Sequence, residues 1–387
     1  MAKTRELAHA HAQEMICLRR DLHRWPEESG KEYKTTDRIC EELDKIGLTY
    51  RRLDPTGVIA DIVGNHPGPI VALRSDIDGL TVNEKTGFEF ASENEGVMHA
   101  CGHDVHTSVL VSAAKVLNEM KDEMHGTVRL IFQPAEEIAT GAQTVIKAGG
   151  LDGVSMIFGM HNSPAAPAGH ILGLDGCVFA AADQFKITVH GKVTHGAVPQ
   201  DGVDAIVCAS AIVSNLQTMV SREFDPMKPL VVTVGKIYGG TRWNVGPGEV
   251  TLEGTVRSTD IDIWKKVPET MERIAKETAA AYRATVDFEI HRLTKVLYND
   301  EKATAIALNA AKKIVDDPET MVGRQIPTMG GEDYADYTNE IPGAFFLCGS
   351  GADHPWHSDY YNPDEECIEA GAAMYAQTAL DMLEALK

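Results

Sequence analysis

The stretch from Met98 to Ser108 holds one thiol, three imidazoles and a carboxylate within eleven residues. Cys101 and His103 stand two positions apart, so both side chains can point the same way in an extended or turn conformation. This is metal-ligand spacing, but an isolated Cys-x-His pair is equally consistent with two packed residues. The pair therefore predicts a metal site only if further ligands come from elsewhere in the chain.

Further candidate ligands stand at the ends of the expected strands. They are Asp76 and Asp78, Glu136 and Glu137, His161, and His357, which lies in a loop beyond the last strand. In an open α/β sheet this edge binds ligands, because the strand ends deliver side chains into one crevice. Together with Cys101 and His103, the set supplies sulfur, nitrogen and oxygen donors for two metal ions. Two divalent cations about 3.5–4 Å apart acidify a water molecule and polarise a carbonyl, so the pattern predicts a hydrolase.

The adjacent residues Glu136 and Glu137 cannot easily point in one direction. This favours a division of labour, in which one binds metal and the other takes the proton of the attacking water. Such a base contributes typically ~10²–10⁴-fold in rate. The alternative is a solvated helix start, but the position after a buried-looking strand and a Gln-Pro turn favours the catalytic interpretation.

Hydrophobic spacing predicts the elements that position these residues. We expect helices at 3–24, 33–47, 107–120, 139–148, 302–315 and 364–386. We expect strands at 58–63, 70–73, 128–132, 155–160 and 344–347. The alternation of strands and helices indicates an α/β fold, with a mostly parallel sheet covered by helices on both faces.

The segment from 184 to 292 has a different order of elements. It offers a strand at 185–189, a helix at 203–220, strands at 230–237 and 249–257, a helix at 261–282 and a strand at 285–290. This βαββαβ order is the ferredoxin-like pattern. We therefore predict a catalytic domain formed by residues 1–182 and 294–387, with an inserted domain at 183–293.

Composition narrows the class of protein. The chain has 387 residues, 43% hydrophobic and 24% charged, which is typical of globular proteins of two domains. The formal net charge of −21 argues against nucleic acid or an anionic membrane surface as a partner. Met1 to Arg20 has no apolar signal region, and the seven scattered cysteines suit a reducing compartment, so we expect a cytoplasmic protein.

A set of segments that spans nearly the whole chain in order carries a resemblance to known proteins: 98–108, 132–137, His161, 194–199 with 202–206, 239–249, 328–334, and His357-Ser358. In these segments the chain resembles a family of co-catalytic metallopeptidases and amidohydrolases. The family includes hippurate hydrolase, N-acyl-amino-acid amidohydrolases of the aminoacylase type, indole-acetyl-amino-acid hydrolases and N-acetyl-diaminopimelate deacetylase.

The resemblance implies a zinc-peptidase-like catalytic domain with two divalent metal ions per subunit. Its metal ligands would be Cys101, His103, Glu137, His161 and His357, and the Cys101 sulfur would be a candidate bridge between the ions. Glu136 would be the general base. We expect zinc or manganese, with cobalt or nickel as alternatives, because thiolate, imidazole and carboxylate ligands suit these metals to different degrees.

The resemblance also implies that the inserted domain is a lid through which the protein forms a homodimer. His195 on this lid would reach the partner's active site and stabilise the oxyanion of the tetrahedral intermediate. Asn244 and Arg257 match positions that contact the free carboxylate of the substrate in relatives. An arginine fork suits a carboxylate, although an arginine at a strand end is also common on surfaces.

This chain departs from the pattern of the family at the pocket wall. It has Asp78-Gly79-Leu80-Thr81 where relatives usually have Asp-Ala-Leu-Pro, and Gly330-Gly331 before Glu332-Asp333 where relatives often have Gly-Ser. These differences affect the substrate prediction more than the chemistry. Four further residues are expected either to orient metal ligands or to be surface and turn residues: Asp76, Asp78, Asp104 and His106.

These observations predict a metal-dependent amidohydrolase that cleaves an N-acyl-amino acid into a carboxylic acid and a free amino acid. A dipeptidase or carboxypeptidase would use the same chemistry on a short peptide. A binding or regulatory protein that kept the fold without turnover is the third alternative. A comparison of Gly-X dipeptides with N-acyl-X compounds separates the first two, and metal binding without hydrolysis would indicate the third.

Overall fold

The computed structural model describes residues 2–387, so Met1 of the N-terminal stretch lies outside the described residues. Every predicted helix and strand is present. The helices are α1 (Lys3–Arg24), α2 (Tyr33–Ile46), α3 (His103–Glu119), α4 (Gly141–Lys147), α5 (Ala205–Thr218), α6 (Ile261–Ala281), α7 (Glu301–Ile314), α8 (Pro318–Met321), α9 (Ala335–Thr338) and α10 (Glu366–Ala385).

The strands alternate with these helices along most of the chain. They are β1 (Tyr50–Arg52), β2 (Val58–Val63), β3 (His66–Asp76), β4 (His125–Gln133), β5 (Val154–Ser163), β6 (Ile171–Gly173), β7 (Gly176–Phe179), β8 (Ala181–His190), β9 (Thr194–His195), β10 (Leu230–Gly239), β11 (Val245–Gly246), β12 (Glu249–Ser258), β13 (Thr285–Thr294), β14 (Leu297–Asn299), β15 (Val322–Arg324) and β16 (Gly343–Gly349).

The chain divides into two compact units. The first comprises the residues up to Val178 together with Tyr298–Ile326 and Asp333–Lys387. The second comprises Phe179–Leu297 and Pro327–Glu332. The second unit therefore draws on two separate segments of sequence, including a short one near Glu332.

The first unit is built on a mixed sheet with strand order β1-β2-β4-β3-β5-β16-β6-β15. Its four central strands, β4, β3, β5 and β16, are parallel. Antiparallel pairing occurs toward both edges, between β2 and β4 and between β16 and β6. The predicted α/β class is confirmed, with parallel strands confined mainly to the centre of the sheet.

The central strands are parallel because helices return the chain between them. These strands are rich in apolar residues, and Val71, Leu73, Phe158 and Phe346 are fully buried. Helices α1, α3 and α10 pack against one another as part of the same apolar core. Each fully buried side chain of this size contributes roughly 1.5–3 kcal/mol.

The second unit contains a four-stranded antiparallel sheet with strand order β10-β12-β8-β13. Helices α5 and α6 contact this sheet and each other. Their apolar faces and the strands bury Phe185, Ile187, Ile212, Leu252 and Met271 completely. The order of elements within this unit is the βαββαβ pattern.

Side chains and glycines define the ends of several helices. The Asp204 side chain accepts the backbone N–H groups of Ile206 and Val207 at 2.9 and 3.0 Å, and so caps α5. Gly47 has a φ of 79° and ends α2 in the left-handed conformation that glycine favours. Among the helices of residues 2–387, none combines the length and hydropathy needed to cross a membrane.

Candidate metal centre

A glycine turn places Cys101 and His103 on the same side of the chain. Gly102 has a φ of 82°, and its carbonyl accepts the N–H groups of Val105 and His106 at 3.0 and 3.1 Å. Helix α3 therefore begins at His103, four residues earlier than predicted. The sequence-based boundary was wrong because the left-handed glycine starts the helix directly after the thiol.

His161 lies within a strand, whereas the sequence placed it directly after one. β5 continues to Ser163 because β16 still pairs with it, with Leu347 opposite His161. The imidazole is consequently held on hydrogen-bonded backbone and is almost fully buried.

Two turns with left-handed residues present the remaining candidate ligands. Glu136 and Glu137 follow β4 and lie between Ala135 and Ala139, which both have a φ of 55°. His357 has a φ of 67°, and its N–H donates to the Ala100 carbonyl at 2.8 Å, so its loop is tied to the Cys101 loop. Non-glycine residues with positive φ are uncommon and tend to lie at functional sites.

Five side chains from these segments converge, and we call them the Cys101 cluster: Cys101, His103, Glu137, His161 and His357. The Cys101 Sγ lies 3.3 Å from His161 Nε2 and 3.6 Å from His357 Nε2. The Glu137 carboxylate lies 3.8 Å from both His103 Nε2 and His357 Nε2. Contacts through Cys101 and Glu137 therefore link the donor groups of all five residues, as in a metal site.

The ligand atoms form two trios that share the thiol. Cys101, His103 and His161 form one, and Cys101, Glu137 and His357 form the other, with the donor atoms of each trio within 4.8 Å of one another. Glu136 forms a further group with His103 and Glu137 at the same separation. The geometry thus brings together every metal ligand and the base that the sequence suggested for the first unit.

Hydrogen bonds orient the two buried imidazoles. His103 Nδ1 donates to Asp78 Oδ1 at 3.2 Å, and His161 Nδ1 donates to the Asn162 carbonyl at 2.7 Å. A proton on Nδ1 leaves the Nε2 lone pair for another partner, and metal-ligating histidines are commonly fixed in this way. In both residues Nε2 points into the Cys101 cluster.

The protein does not satisfy all polar atoms of this cluster. His103 Nε2 and Glu137 Oε1 are buried and have no hydrogen-bond partner among residues 2–387. Buried polar atoms are usually paired with protein, water or an ion. A thiol, three imidazoles and a carboxylate are ligands for zinc and similar divalent ions, so the donor set fits a metal centre.

Electrostatics support the same interpretation. Burial raises the pKa of Glu137 to about 7, and neighbouring carboxylates add to this effect. Burial alone would lower the pKa of His103, but Asp76 and Asp78 outweigh it and raise this pKa to about 10. Burial and the nearby Glu137 raise the pKa of the Cys101 thiol. The surroundings are therefore strongly anionic, and a divalent cation would compensate them by displacing protons.

A neighbouring group of Asp76, His103 and His106 is less suited to metal. His106 Nδ1 donates to Asp76 Oδ1 at 2.6 Å, and His106 Nε2 accepts the Asn162 N–H at 2.9 Å. Both ring nitrogens of His106 are thereby engaged. His106 and Asp76 instead form a buried network beside His103.

The sequence left four residues open between orienting metal ligands and lying on the surface: Asp76, Asp78, Asp104 and His106. All four are buried, so the alternative that they are surface residues is wrong. Asp78 contacts the Cys101 cluster directly, since it accepts the Glu137 N–H at 3.1 Å as well as bonding His103. Asp104 turns the other way and accepts from Arg19 Nε and His23 Nδ1 at 2.7 and 2.8 Å.

Asp333, which the sequence left unassigned, is buried and hydrogen-bonded in the first unit. It accepts from Arg74 Nη2 at 2.9 Å and from Gln133 Nε2 at 2.8 Å. Sequence reasoning did not single out Asn162 or Arg19. A polar residue at the buried end of a strand, directly after His161, was the available signal for Asn162.

The remaining predicted residues belong to the second unit. His195 is exposed on β9, which pairs with β11, and the backbone N–H of Gly196 donates to the Asn244 carbonyl at 2.9 Å. The structure thus brings His195 and Asn244 near each other, and Asn244 Oδ1 is buried without a hydrogen-bond partner in the described chain. Arg257 lies on β12 of the four-stranded sheet and is partly buried.

Comparisons with known proteins agree with this arrangement. The fold and the matching relatives define the class of the protein, a hydrolase of amide bonds. The model of Peptidase family M20/M25/M40 matches residues 72–381, and the chain belongs to this family.

Similar proteins act on amide bonds or bind two metals. The chain is 40% identical to N-acetyl-L-cysteine deacetylase of Bacillus subtilis (strain 168) over 372 residues, which cover 96% of this chain and 88% of that protein. It is 43% identical to N-acyl-L-amino acid amidohydrolase of Geobacillus stearothermophilus over 277 residues, covering 71% and 75%. The Bacillus subtilis YXEP structure, described as a dinuclear metal binding peptidase, matches with a TM-score of 0.87 at 38% identity and covers 97% and 99%.

The family resemblance and the prediction of an amide-bond hydrolase are therefore confirmed. The individual site residues, the identity of the metals, the homodimer and the cytoplasmic location remain predictions.

Proposed function

We propose that the protein is a metal-dependent amidohydrolase that cleaves N-acyl-amino acids into a carboxylic acid and a free amino acid. The observation that carries this proposal is the convergence of five donor side chains, two of whose atoms, His103 Nε2 and Glu137 Oε1, are buried without a hydrogen-bond partner among residues 2–387. Two relatives are named for reactions of this kind, on N-acetyl-L-cysteine and on N-acyl-L-amino acids. The proposed substrates are amides of an acyl group and an amino acid with a free carboxylate.

The two trios would hold two divalent ions with the Cys101 thiolate shared between them. Zinc or manganese is favoured, and cobalt or nickel also suits these ligands. Bound divalent cations supply an acidified water molecule and a polarised carbonyl. Asp78 would hold His103 in the tautomer that directs Nε2 toward the ions.

Glu136 would act as the general base. Its carboxylate is partly buried and has an oxygen within 4.8 Å of ligand atoms of His103 and Glu137. It would take a proton from the attacking water and return that proton to the leaving nitrogen, so that the amine leaves neutral. Glu137 would remain a ligand, which is the division of labour expected for adjacent carboxylates.

His195 would donate a hydrogen bond to the oxyanion. The Ala197 N–H donates to His195 Nδ1 at 3.0 Å, so a neutral His195 carries its proton on Nε2. The ring is exposed, which leaves Nε2–H available to a substrate. Losing one such donor typically costs ~10²–10³-fold in turnover.

Arg257 and Asn244 would bind the substrate carboxylate. Burial lowers the pKa of the Arg257 guanidinium, and the Asp183 carboxylate offsets this effect only in part. A side chain at position 331 would place its Cβ atom 3.3 Å from Arg257 Nη1. Gly331 therefore keeps the space beside the guanidinium open. A carboxylate would satisfy a partly buried arginine through paired hydrogen bonds.

We also propose a homodimer through the second unit. β10 is at one edge of the four-stranded sheet, and its Val231, Ile237 and Tyr238 are exposed. Ile206 and Val207 of α5 are exposed as well. An apolar edge strand of this length is usually paired or covered, and a second copy of the chain would cover it. The scattered cysteines support the proposed cytoplasmic location, since Cys17, Cys40, Cys101, Cys208, Cys348 and Cys367 are free thiols.

The test is an assay of purified protein on hippurate, a series of N-acetyl-amino acids and a matched series of Gly-X dipeptides. Hydrolysis of the N-acyl series that is lost on chelation and restored by divalent ions supports the proposal. The second candidate, a peptidase acting on short peptides, is favoured by the YXEP structure being described as a peptidase. Preference for the dipeptides would select that function, and metal binding without any hydrolysis would indicate a non-catalytic homologue.

A further inference from the structure

Asn162 connects the segments that carry most of the Cys101 cluster. It follows His161 at the end of β5, is almost fully buried, and lies opposite Cys348 of β16. Its side chain and backbone make several hydrogen bonds. The partners are other side chains and the backbone of the Cys101 loop. A buried amide with this many partners is costly to misplace, because each lost partner leaves a buried polar group unsatisfied.

The Asn162 side chain binds the loop that carries the thiol. Asn162 Nδ2 donates to the Cys101 carbonyl at 2.7 Å and lies 2.7 Å from His106 Nε2. The loop approaches so closely that an added Cβ at Gly102 would lie 2.4 Å from Asn162 Nδ2. The position of the Cys101 loop is therefore fixed against the side chain of Asn162.

The Asn162 backbone carbonyl binds two other segments of the centre. It accepts His161 Nδ1–H at 2.7 Å and Trp356 Nε1–H at 3.1 Å. Trp356 directly precedes His357 and packs edge-on against the His161 ring, with centroids 5.0 Å apart. The Tyr361 hydroxyl, further along the same loop, donates to Asn162 Oδ1.

We propose that Asn162 is a positioning residue that sets the relative placement of Cys101, His161 and His357 for metal binding. Its side chain acts through the Cys101 carbonyl and the Tyr361 hydroxyl, and its backbone carbonyl acts through the His161 tautomer and the Trp356 indole. This inference rests on the proposed metal ligation by Cys101, His161 and His357. Residues that orient metal ligands typically contribute ~10–100-fold to metal affinity.

The experiment measures Co²⁺ binding to metal-free full-length protein by competition with a chelator. The thiolate-to-Co²⁺ absorption band reports on Cys101 independently of activity. Asn162→Leu removes all side-chain hydrogen bonds at nearly constant volume. Asn162→Asp keeps an acceptor for Tyr361 but loses both Nδ2 contacts, to the Cys101 carbonyl and to His106 Nε2, and adds a buried negative charge.

Asn299 offers a matched control in the first unit. It is equally buried, donates to the carbonyls of Leu174 and Phe345 at 2.8 and 3.0 Å, and accepts the Phe345 N–H at 2.8 Å. Asn299→Leu thus removes a comparable set of bonds elsewhere in the unit. Circular dichroism and thermal melting establish that each variant is folded.

We expect both Asn162 variants to bind Co²⁺ ~10–100-fold more weakly and with a weaker thiolate band, while Asn299→Leu lowers the melting temperature but retains the affinity. Wild-type affinity and band in folded Asn162 variants would overturn the inference, as would an equal loss in Asn299→Leu. If wild-type protein shows no thiolate band, or if Cys101→Ser does not change binding, the proposed function fails together with this inference.

Discussion

Two buried polar clusters contain adjacent residues at the first turn of α3, and they balance their charges in opposite ways. His103 belongs to the Cys101 cluster. Its neighbour Asp104 belongs to what we call the Arg19 cluster: Arg19, His23, Asp104 and Glu365. Arg19 is fully buried and donates to Asp104 Oδ2 at 2.7 Å and to Glu365 Oε1 at 3.2 Å.

The Arg19 cluster contains a buried guanidinium, whereas the Cys101 cluster has one carboxylate, one thiol and three imidazoles, with no lysine or arginine among its five members. In the first case a guanidinium compensates the buried carboxylate and lowers the pKa of Asp104, although burial alone would raise it. In the second, His103 Nε2 and Glu137 Oε1 lack hydrogen-bond partners in the described chain, and Asp104 Oδ1 of the Arg19 cluster does as well, so the contrast lies in the guanidinium. The comparison teaches that a buried guanidinium balances a carboxylate within the protein, whereas a thiol, imidazoles and a carboxylate without one form a donor set that suits a bound cation.

The largest expected effect comes from replacing Glu136, the proposed base beside the Cys101 cluster. Glu136→Gln should lower kcat by ~10²–10⁴-fold, because a glutamine cannot accept the proton of water. The measurement is steady-state turnover of an N-acyl-amino acid, together with the metal content of the variant. Metal content should remain that of the wild type, and turnover within threefold of wild type would contradict the role of Glu136.

The Arg19 cluster should instead control stability. Arg19→Met should lower the free energy of unfolding by about 3–5 kcal/mol, because it leaves the buried Asp104 carboxylate without the guanidinium that pairs with it. Urea denaturation measures this change. Arg5→Met, on the same helix and paired with the largely exposed Asp316, is the control and should cost only about 0–1 kcal/mol. Equal losses in the two variants would remove the distinction drawn for Arg19.

Removal of metal should affect stability through the Cys101 cluster. At a free metal concentration of about 100 times Kd, binding stabilises the folded state by about 2.7 kcal/mol. Unfolding of wild-type protein with and without a chelator measures the difference. The difference should persist in a folded Arg5→Met control and shrink in Glu137→Gln. A metal-independent unfolding curve for the wild type would argue against the centre.

The smallest expected effect is the pH dependence of the Arg19 cluster. Burial lowers the pKa of His23, but Asp104 outweighs it, so the net pKa is raised above the usual value of about 6.5. Protonated His23 therefore stabilises the fold below pH about 6.5, and this contribution is lost as the pH rises through the raised pKa. The stability difference between wild type and His23→Gln should shrink as the pH rises. A difference that grows over this range would mean that the sign is wrong.

Much of the fold followed from periodicity, because apolar spacing identifies α1, α2, β2 and the elements of the second unit. The boundaries at the site were harder to predict. α3 starts at His103 because Gly102 adopts a left-handed conformation, and β5 extends past His161 because β16 pairs with it. Both effects depend on tertiary contacts that a local pattern does not contain.

The candidate ligands could be proposed from their residue types and their positions after strands. The partners of Asp104 and His106 could not, because Arg19 and Asn162 are remote in sequence and carry no ligand-like spacing. Adjacent residues of one motif, His103 and Asp104, enter different clusters because successive side chains of a helix point in different directions. The orientation is set by packing of α1 against α3.

The most direct test is a crystal structure of the protein grown with Mn²⁺ or Zn²⁺ and measured at the absorption edge of the metal. We predict two anomalous peaks about 3.5–4 Å apart, one beside Cys101, His103 and His161 and one beside Cys101, Glu137 and His357. Anomalous density absent from these residues, with metal bound only elsewhere on the protein, would contradict the account.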